Sequence, residues 1–162
     1  MSAVWRNFVL GTVLMVLRSA AAVGLPAADL VVGTWELDLA RSTFIPGPGP
    51  KSETRAYAGD AEFNTVSWTS VDAAGKSVSG QAEFHFDGKD YATPGSADYD
   101  AISLKRVDNA TVEAVLKKAG RVVGHSLRVV SRNGKLMTLS VTLTNAQGVA
   151  VKEMWVFVKS NR

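Results

Sequence analysis

Few side chains in this sequence have the type and spacing that a catalytic or metal site requires. Cysteine is absent, which excludes disulfides, thiolate metal ligands, a cysteine nucleophile and the lipidated cysteine of a lipoprotein. The two histidines, His85 and His125, have no carboxylate or second histidine at a metal-ligand spacing, whereas a zinc site needs about three protein ligands. The sequence therefore predicts no metal site.

Nucleophilic and phosphate-binding motifs are also missing. The serines that follow glycines, in Gly75-Lys76-Ser77 and Gly124-His125-Ser126, do not complete a Gly-x-Ser-x-Gly elbow. No Walker sequence occurs, and the run 47–50 places prolines where amide donors to a phosphate would be needed. We expect neither a cofactor nor an enzyme, although a carboxylate pair inside the fold would carry no such motif.

Two clusters of charge admit a functional and a structural interpretation. Four acids lie between two predicted strands: Asp87, Asp90, Asp98 and Asp100. Such a cluster suggests a calcium site, but it lacks the EF-hand spacing. Aspartate is also a common turn former, which is the structural interpretation. Eight cations concentrate between residues 105 and 135, and Lys117, Lys118 and Arg121 are the candidates for a face that binds an anionic partner. The alternative for this basic face is a solvated outer surface.

Residues 1–28 have the order of a secretory signal peptide. Arg6 precedes an apolar run over 8–17, and small residues follow, so cleavage is expected after Ala22 or after Ala28. The run is about half the roughly 20 residues that span a bilayer as a helix, and no stable membrane anchor is expected after cleavage. We therefore predict export to a periplasm or the exterior, and the lack of disulfides favours a bacterial envelope.

The net charge argues against nucleic acid as a partner. Removing Arg6 and Arg18 with the leader leaves 16 basic residues against 15 acidic ones, a net charge of +1 instead of +3. Proteins that bind nucleic acid usually neutralise several phosphates with a basic surface. Residues 29–162 are long enough for one domain with its own core. Its oligomeric state is left open.

The elements that must position any site are short strands cut by turns. The strands are predicted near 31–37, 53–58, 62–72, 76–86, 101–107, 111–118, 121–131, 135–144 and 149–158, with a loop over 45–50 and an irregular stretch after Asp87-Gly88-Lys89. Asn133-Gly134 fits a type I′ turn, whose two central residues need positive φ. Tight turns leave no room for parallel crossovers. The chain is therefore predicted to be all-β, an antiparallel up-and-down barrel of about 8–10 strands preceded by a signal-peptide helix.

Alternation along the strands indicates which side chains face the lumen. Val78, Gly80, Ala82, Phe84 and Phe86 share one face of their strand, and Ser79, Gln81, Glu83 and His85 the other. Aromatic side chains on such faces either fill a solid core or line an apolar pocket. The candidates for the lumen are Trp35, Trp68, Phe84, Phe86, Trp155 and Phe157.

Gly33-Thr34-Trp35 resembles the Gly-x-Trp signature of the lipocalin and calycin barrels. Together with the stretches 33–57, 86–123 and 129–148, it makes nearly all of the mature chain similar to a family of small exported bacterial lipocalin-like proteins of uncharacterised function. The resemblance implies a β-barrel and brings no established ligand with it. The expected function is an exported barrel that binds a small apolar or amphipathic molecule in its lumen. The alternative is an envelope interaction module with a filled core and a basic outer face.

Overall fold

The computed structural model describes residues 29–93 and 96–161, and the expected leader lies outside this range. Within it the chain is all-β, apart from one short 3-10 helix at Leu39–Arg41. The strands are β1 Gly33–Leu37, β2 Thr43–Ile45, β3 Ser52–Gly59, β4 Phe63–Val71, β5 Ser77–His85, β6 Asp87–Ala92, β7 Ala101–Arg106, β8 Thr111–Lys118, β9 Arg121–Val130, β10 Leu136–Thr144 and β11 Ala150–Lys159.

All strand pairs in the sheet are antiparallel, and they follow one path from β5 through β4, β3, β1, β11, β10, β9, β8 and β7 to β6. The first strand pairs with the last, with Trp35 opposite Lys159 and Leu37 opposite Phe157. Strand β2 lies off this path and pairs with β11. The ten strands of the path therefore form the nearly closed antiparallel barrel that the turn spacing predicts.

The barrel has one seam, between β5 and β6. These strands follow each other in the chain and touch, but they share no ladder of backbone hydrogen bonds among the described residues. The ring of His85 lies between those of Phe63 and Tyr91, with centroid separations of 5.7 and 5.3 Å. An aromatic stack thus links strands β4, β5 and β6 where the ladder is interrupted.

Side chains alternate between the lumen and the outer surface along the strands. On β5, Ala82 and Phe84 pack against the core, whereas Gln81 and Glu83 are exposed. On β11, Val151, Trp155 and Phe157 face inward, and Glu153 shares their side, as the alternation predicts. Val156 faces outward but is buried, because its backbone bonds to Asp38 and Ser42 in the segment that crosses over β11.

One end of the barrel, which we call the closed end, is filled with apolar side chains around Trp35. The Trp35 side chain is fully buried, and its indole N–H donates to the Val31 carbonyl at 2.7 Å. The neighbours of Trp35 in this core include Tyr57, Val66, Val130, Met137 and Phe157. At the opposite end, the open end, the inward Val78 remains 46% exposed. A second buried cluster, formed by Leu116, Leu143 and Val151 with Tyr99 packed against it, also lies away from Trp35, so the two ends are filled unequally.

Asp29 ties the start of the described chain to the closed end. Its carboxylate accepts from the Arg106 guanidinium at 2.6 Å and from the Val31 amide at 3.1 Å. Burial by itself would raise the pKa of Asp29, but these hydrogen bonds and the charge of Arg106 outweigh it and lower the pKa below its usual value. The charged carboxylate is thus the form that stabilises the fold.

Replacing Asp29 with asparagine is expected to lower the free energy of unfolding by about 2 kcal/mol at neutral pH, the size of a hydrogen bond to a charged group. A native pKa below the unfolded one means that the stabilisation is present above the unfolded pKa of 3.8 and is lost as the pH falls through the native value. Urea unfolding at pH 7 and pH 3 checks this. A difference between the two proteins that is unchanged at pH 3 would contradict it.

The structure corrects four local predictions. Strands β2 and β6 lie where the sequence predicted a loop and an irregular stretch. Val31 precedes β1 instead of belonging to it, although it is fully buried. The two-residue turn with positive φ at both positions is Ala119-Gly120, at 48° and 76°, and at Asn133-Gly134 only the glycine has positive φ. Asn133 instead stabilises its turn by accepting from the Ser131 hydroxyl and the Lys135 amide.

Candidate functional site: the barrel lumen

The register places the six predicted aromatic side chains on the inner side of the barrel, in three different settings. Trp35 and Phe157 are fully buried and fill the closed end. Phe86 packs beside Leu104 and Val112, with the Arg106 guanidinium 4.2 Å from its ring centroid. The remaining three, Trp68, Phe84 and Trp155, are half-buried against the same core.

Half-buried aromatic side chains lie on the inner wall of the barrel. Trp68, Phe84 and Trp155 face inward from strands on both sides of the barrel, yet each keeps part of its surface exposed. The Trp68 indole lies against Gly80 of the neighbouring strand, where a Cβ atom would overlap it. Gly80 thus leaves room for the indole to lie flat along the wall. The middle of the inner wall is therefore aromatic and only half-buried.

A polar group lies on this same inner wall, towards the open end. The Arg55 Nε atom donates to Glu53 at 2.5 Å, and the indole N–H of Trp155 donates to Glu153 at 2.8 Å. The guanidinium of Arg55 also lies 5.5 Å from the Trp155 ring centroid and 5.0 Å from that of Phe157. Aromatic faces and charged groups therefore alternate along the lumen wall.

The electrostatics of this polar group favour a charged arginine and a neutral tyrosine. Burial alone would lower the pKa of Arg55, but attraction to Tyr57 and Glu53 outweighs it and raises the pKa. Burial raises the pKa of Tyr99, whose side chain packs on Leu116, Leu143 and Val151. At neutral pH the lumen thus presents a guanidinium with its carboxylate and an uncharged phenol.

Arg128 lies deeper, near the closed end, and is 8% exposed. Its guanidinium donates to the Asn64 side-chain oxygen at 3.2 Å and lies 5.2 Å from the Tyr57 ring centroid and 5.9 Å from that of Phe86. Its Nε atom is buried without a hydrogen-bond partner among the described residues. Burial lowers the pKa of Arg128, and the attraction of Tyr57 and Asp29 does not restore it.

The two histidines do not meet across the barrel. His85 belongs to the aromatic stack at the seam and lies 3.2 Å from Glu83. His125 lies on the outer surface, where it lines an open groove of about 620 Å³ on strands β6 to β10. No cluster of three metal-ligating side chains occurs in residues 29–93 and 96–161. These histidines therefore belong to two separate surfaces.

The four acids, two on β6 and two between β6 and β7, hold the backbone and a neighbouring lysine. Asp87 accepts from the Lys89 amide, Asp100 from the Ala119 amide, and Asp98 from the Ala146 amide. Asp90 accepts twice from the Lys117 ammonium, at 2.7 and 2.8 Å. The bond of Asp87 is the local contact of a turn-forming aspartate, whereas those of Asp90, Asp98 and Asp100 reach residues that are distant in sequence.

The predicted basic face is therefore less charged than the sequence suggests. Lys117 is neutralised by Asp90, while Lys118 and Arg121 pair across the β8–β9 hairpin beside its turn. Arg106, another of the eight cations, points inward to Asp29 and Phe86. The cations of residues 105–135 are thus divided between the lumen and the outside.

Sequence reasoning missed four charged side chains that line the lumen: Glu53, Arg55, Arg106 and Arg128. Charged side chains are normally assigned to solvent, because burying them is costly unless they are paired. A usable signal was present on β3, where Glu53 and Arg55 share the parity of the buried Tyr57. The period of two places all three on one face.

No protein-family model matches the chain, and no curated protein sequence does. Solved structures do match, among them zebrafish ileal bile acid-binding protein complexed with cholic acid. That match has a TM-score of 0.48 and 15% identity, and it covers 81% of this chain and 99% of the other. Within the part of the chain that the structure describes, no helix is long and apolar enough to cross a bilayer.

Proposed function

We propose that this protein is an exported barrel that binds one small amphipathic molecule in its lumen. The apolar part of the ligand lies along Trp68, Phe84 and Trp155, and its polar part meets charged side chains on the same wall. The single observation that carries the proposal is the half-buried state of these three inward aromatic side chains. In a barrel with a filled interior, large aromatic side chains that face inward are packed so that solvent is excluded, as Trp35 and Phe157 are.

Titration of the mature domain with decanoate and with farnesol tests the proposal. Because Trp68 and Trp155 line the lumen, ligand binding should change tryptophan emission and saturate at one molecule per barrel. Isothermal titration calorimetry gives the stoichiometry independently. Emission that stays unchanged with both probes, together with no heat of binding, would reject the proposal.

A plugged lumen should lose binding. Ala82 faces inward opposite Val66, so Ala82→Trp is expected to fill the space beside Phe84 and weaken decanoate binding at least tenfold. The matched control is Gln81→Trp, which places the same indole on the exposed outer side of β5 and should bind decanoate as the native protein does. Calorimetry compares the three proteins. Equal affinity of the Ala82→Trp variant would place the ligand elsewhere.

The location of the protein outside the cytoplasm is part of this proposal. The leader over 1–28, with its basic residue, apolar run and small residues before Ala22 or Ala28, supports secretion or a periplasmic location. Expression of the full chain in a bacterial host, followed by fractionation and mass determination, tests it. A mature mass that begins after Ala22 or Ala28 is the expected result, and full-length protein retained in the cytoplasm would overturn it.

A further inference from the structure

We propose that Arg128 receives the anionic group of the lumen ligand, so that the ligand class is an amphipath with one acidic head that binds head first. This inference rests on the proposed function and makes it specific. It starts from the charge count at the closed end, where the described side chains hold more cations than carboxylates.

Arg106 and Arg128 share one carboxylate. The Asp29 oxygen Oδ2 accepts directly from Arg106 at 2.6 Å and from the Asn64 side-chain amide at 3.3 Å. Asn64 in turn accepts from Arg128 through its Oδ1 atom. Arg128 therefore reaches Asp29 only through a neutral amide, and the network of these four residues carries a net charge of +1.

An excess buried cation is costly unless an anion compensates it. Arg55 shows the alternative within the same lumen, because Glu53 is its direct partner. Arg128 instead contacts the faces of Tyr57 and Phe86, and its Nε–H is left without an acceptor in the described part of the chain. A carboxylate or sulfate at this position would supply both the missing charge and the missing acceptor.

The flanking side chains fit an acidic head with an apolar tail. Tyr57 and Phe86 give the guanidinium two aromatic walls, and inward side chains of β7 and β8 continue them with Leu104, Val112 and Ala114. Towards the open end the lining becomes the half-buried aromatic group. A charged head at Arg128 would therefore leave the tail along Phe84 and Trp68.

The test compares ligands with one tail and three heads: decanoate, 1-decanol and decylamine. Calorimetry on the native protein should give decanoate an affinity at least tenfold above that of 1-decanol, and decylamine the weakest binding. If 1-decanol binds as tightly as decanoate, Arg128 is not the receptor of an anion, although the lumen site stands. If none of the three binds, both proposals fail.

Variants of Arg128 test whether this side chain causes the preference for decanoate over 1-decanol. Arg128→Met should bring decanoate down to the affinity of 1-decanol, while Arg128→Lys should retain at least part of the preference. The free energy of unfolding of Arg128→Met should not fall, because replacing an uncompensated buried charge with an apolar side chain is often neutral or stabilising. Lys152→Met removes one charge from the outer side of β11 and should keep the preference. A preference that persists in Arg128→Met would overturn the assignment.

Discussion

Replacing Trp35 with alanine should lower the free energy of unfolding by about 3–5 kcal/mol, the range measured for truncating large buried aromatic side chains. The Trp35 side chain has no exposed surface, and its N–H satisfies the Val31 carbonyl. The Lys159 ammonium lies 5.2 Å from its ring centroid. Alanine would leave a cavity at the closed end and free the Val31 carbonyl. Urea unfolding, followed by circular dichroism, measures the loss.

Two variants separate the causes of this loss. Trp35→Phe retains most of the packing and removes the hydrogen bond, so it should cost less than Trp35→Ala. Trp68→Ala removes an indole that is only half-buried and should cost less for that reason. If Trp68→Ala destabilised the protein as much as Trp35→Ala, the lumen would be packed as tightly as the closed end, and the proposed ligand would have no room.

A second large effect is expected at Gly124, where valine should lower the free energy of unfolding by about 3 kcal/mol or abolish folding, as overpacking of a filled core does. Gly124 lies on β9 between Leu116 of β8 and Leu143 of β10. A Cβ atom there would overlap the Thr142 carbonyl oxygen and the Leu143 Cα and Cβ atoms. These are mostly backbone atoms, so the neighbouring strand has to move.

Gly120→Ala is the matched control for Gly124→Val. Gly120 has a φ of 76° and nothing within 4 Å of an added Cβ, so alanine there strains the turn without touching a neighbour. The expected cost is about 1 kcal/mol, the steric penalty of a left-handed residue. Urea unfolding compares both variants with the native protein. If both variants lost the same free energy of unfolding, the cost at Gly124 would come from the backbone conformation and not from the contact with β10.

The sequence predicts most strands because turn signals and apolar alternation agree along the chain. The β8–β9 hairpin illustrates this agreement, since its predicted ends at 118 and 121 are those observed. Strand β6 was missed because Asp87-Gly88-Lys89 has the composition of a turn and the Asp87 carboxylate does bind the Lys89 amide. Its ladder with β7 shifts register between Asp87 and Asp90. A bulged strand without alternation carries no period of two.

The candidate site was predictable only in its apolar half. Alternation placed Phe84 and Trp155 on the inner face, and the structure finds them there. Which inward aromatic side chains are fully buried depends on how the two ends of the barrel are filled, and no local pattern contains that information. Arg128 belongs to the run of cations that the sequence predicts as one outer face, and its inward contacts with Asn64 and, through it, Asp29 join residues that are distant in sequence.

The pairing of β1 with β11 has a consequence for biosynthesis. Trp35 and Lys159 are neighbours in space but lie far apart in the sequence, so β1 cannot pair with β11 until translation has passed β11. Contacts between such distant residues slow folding, because a long loop must close before they form. Until then, β1 lacks its hydrogen bonds to β11, whether the chain is still on the ribosome or is being exported. A nonsense mutation that removes β11 would leave β2 without a partner strand, β1 paired only with β3, and β10 paired only with β9.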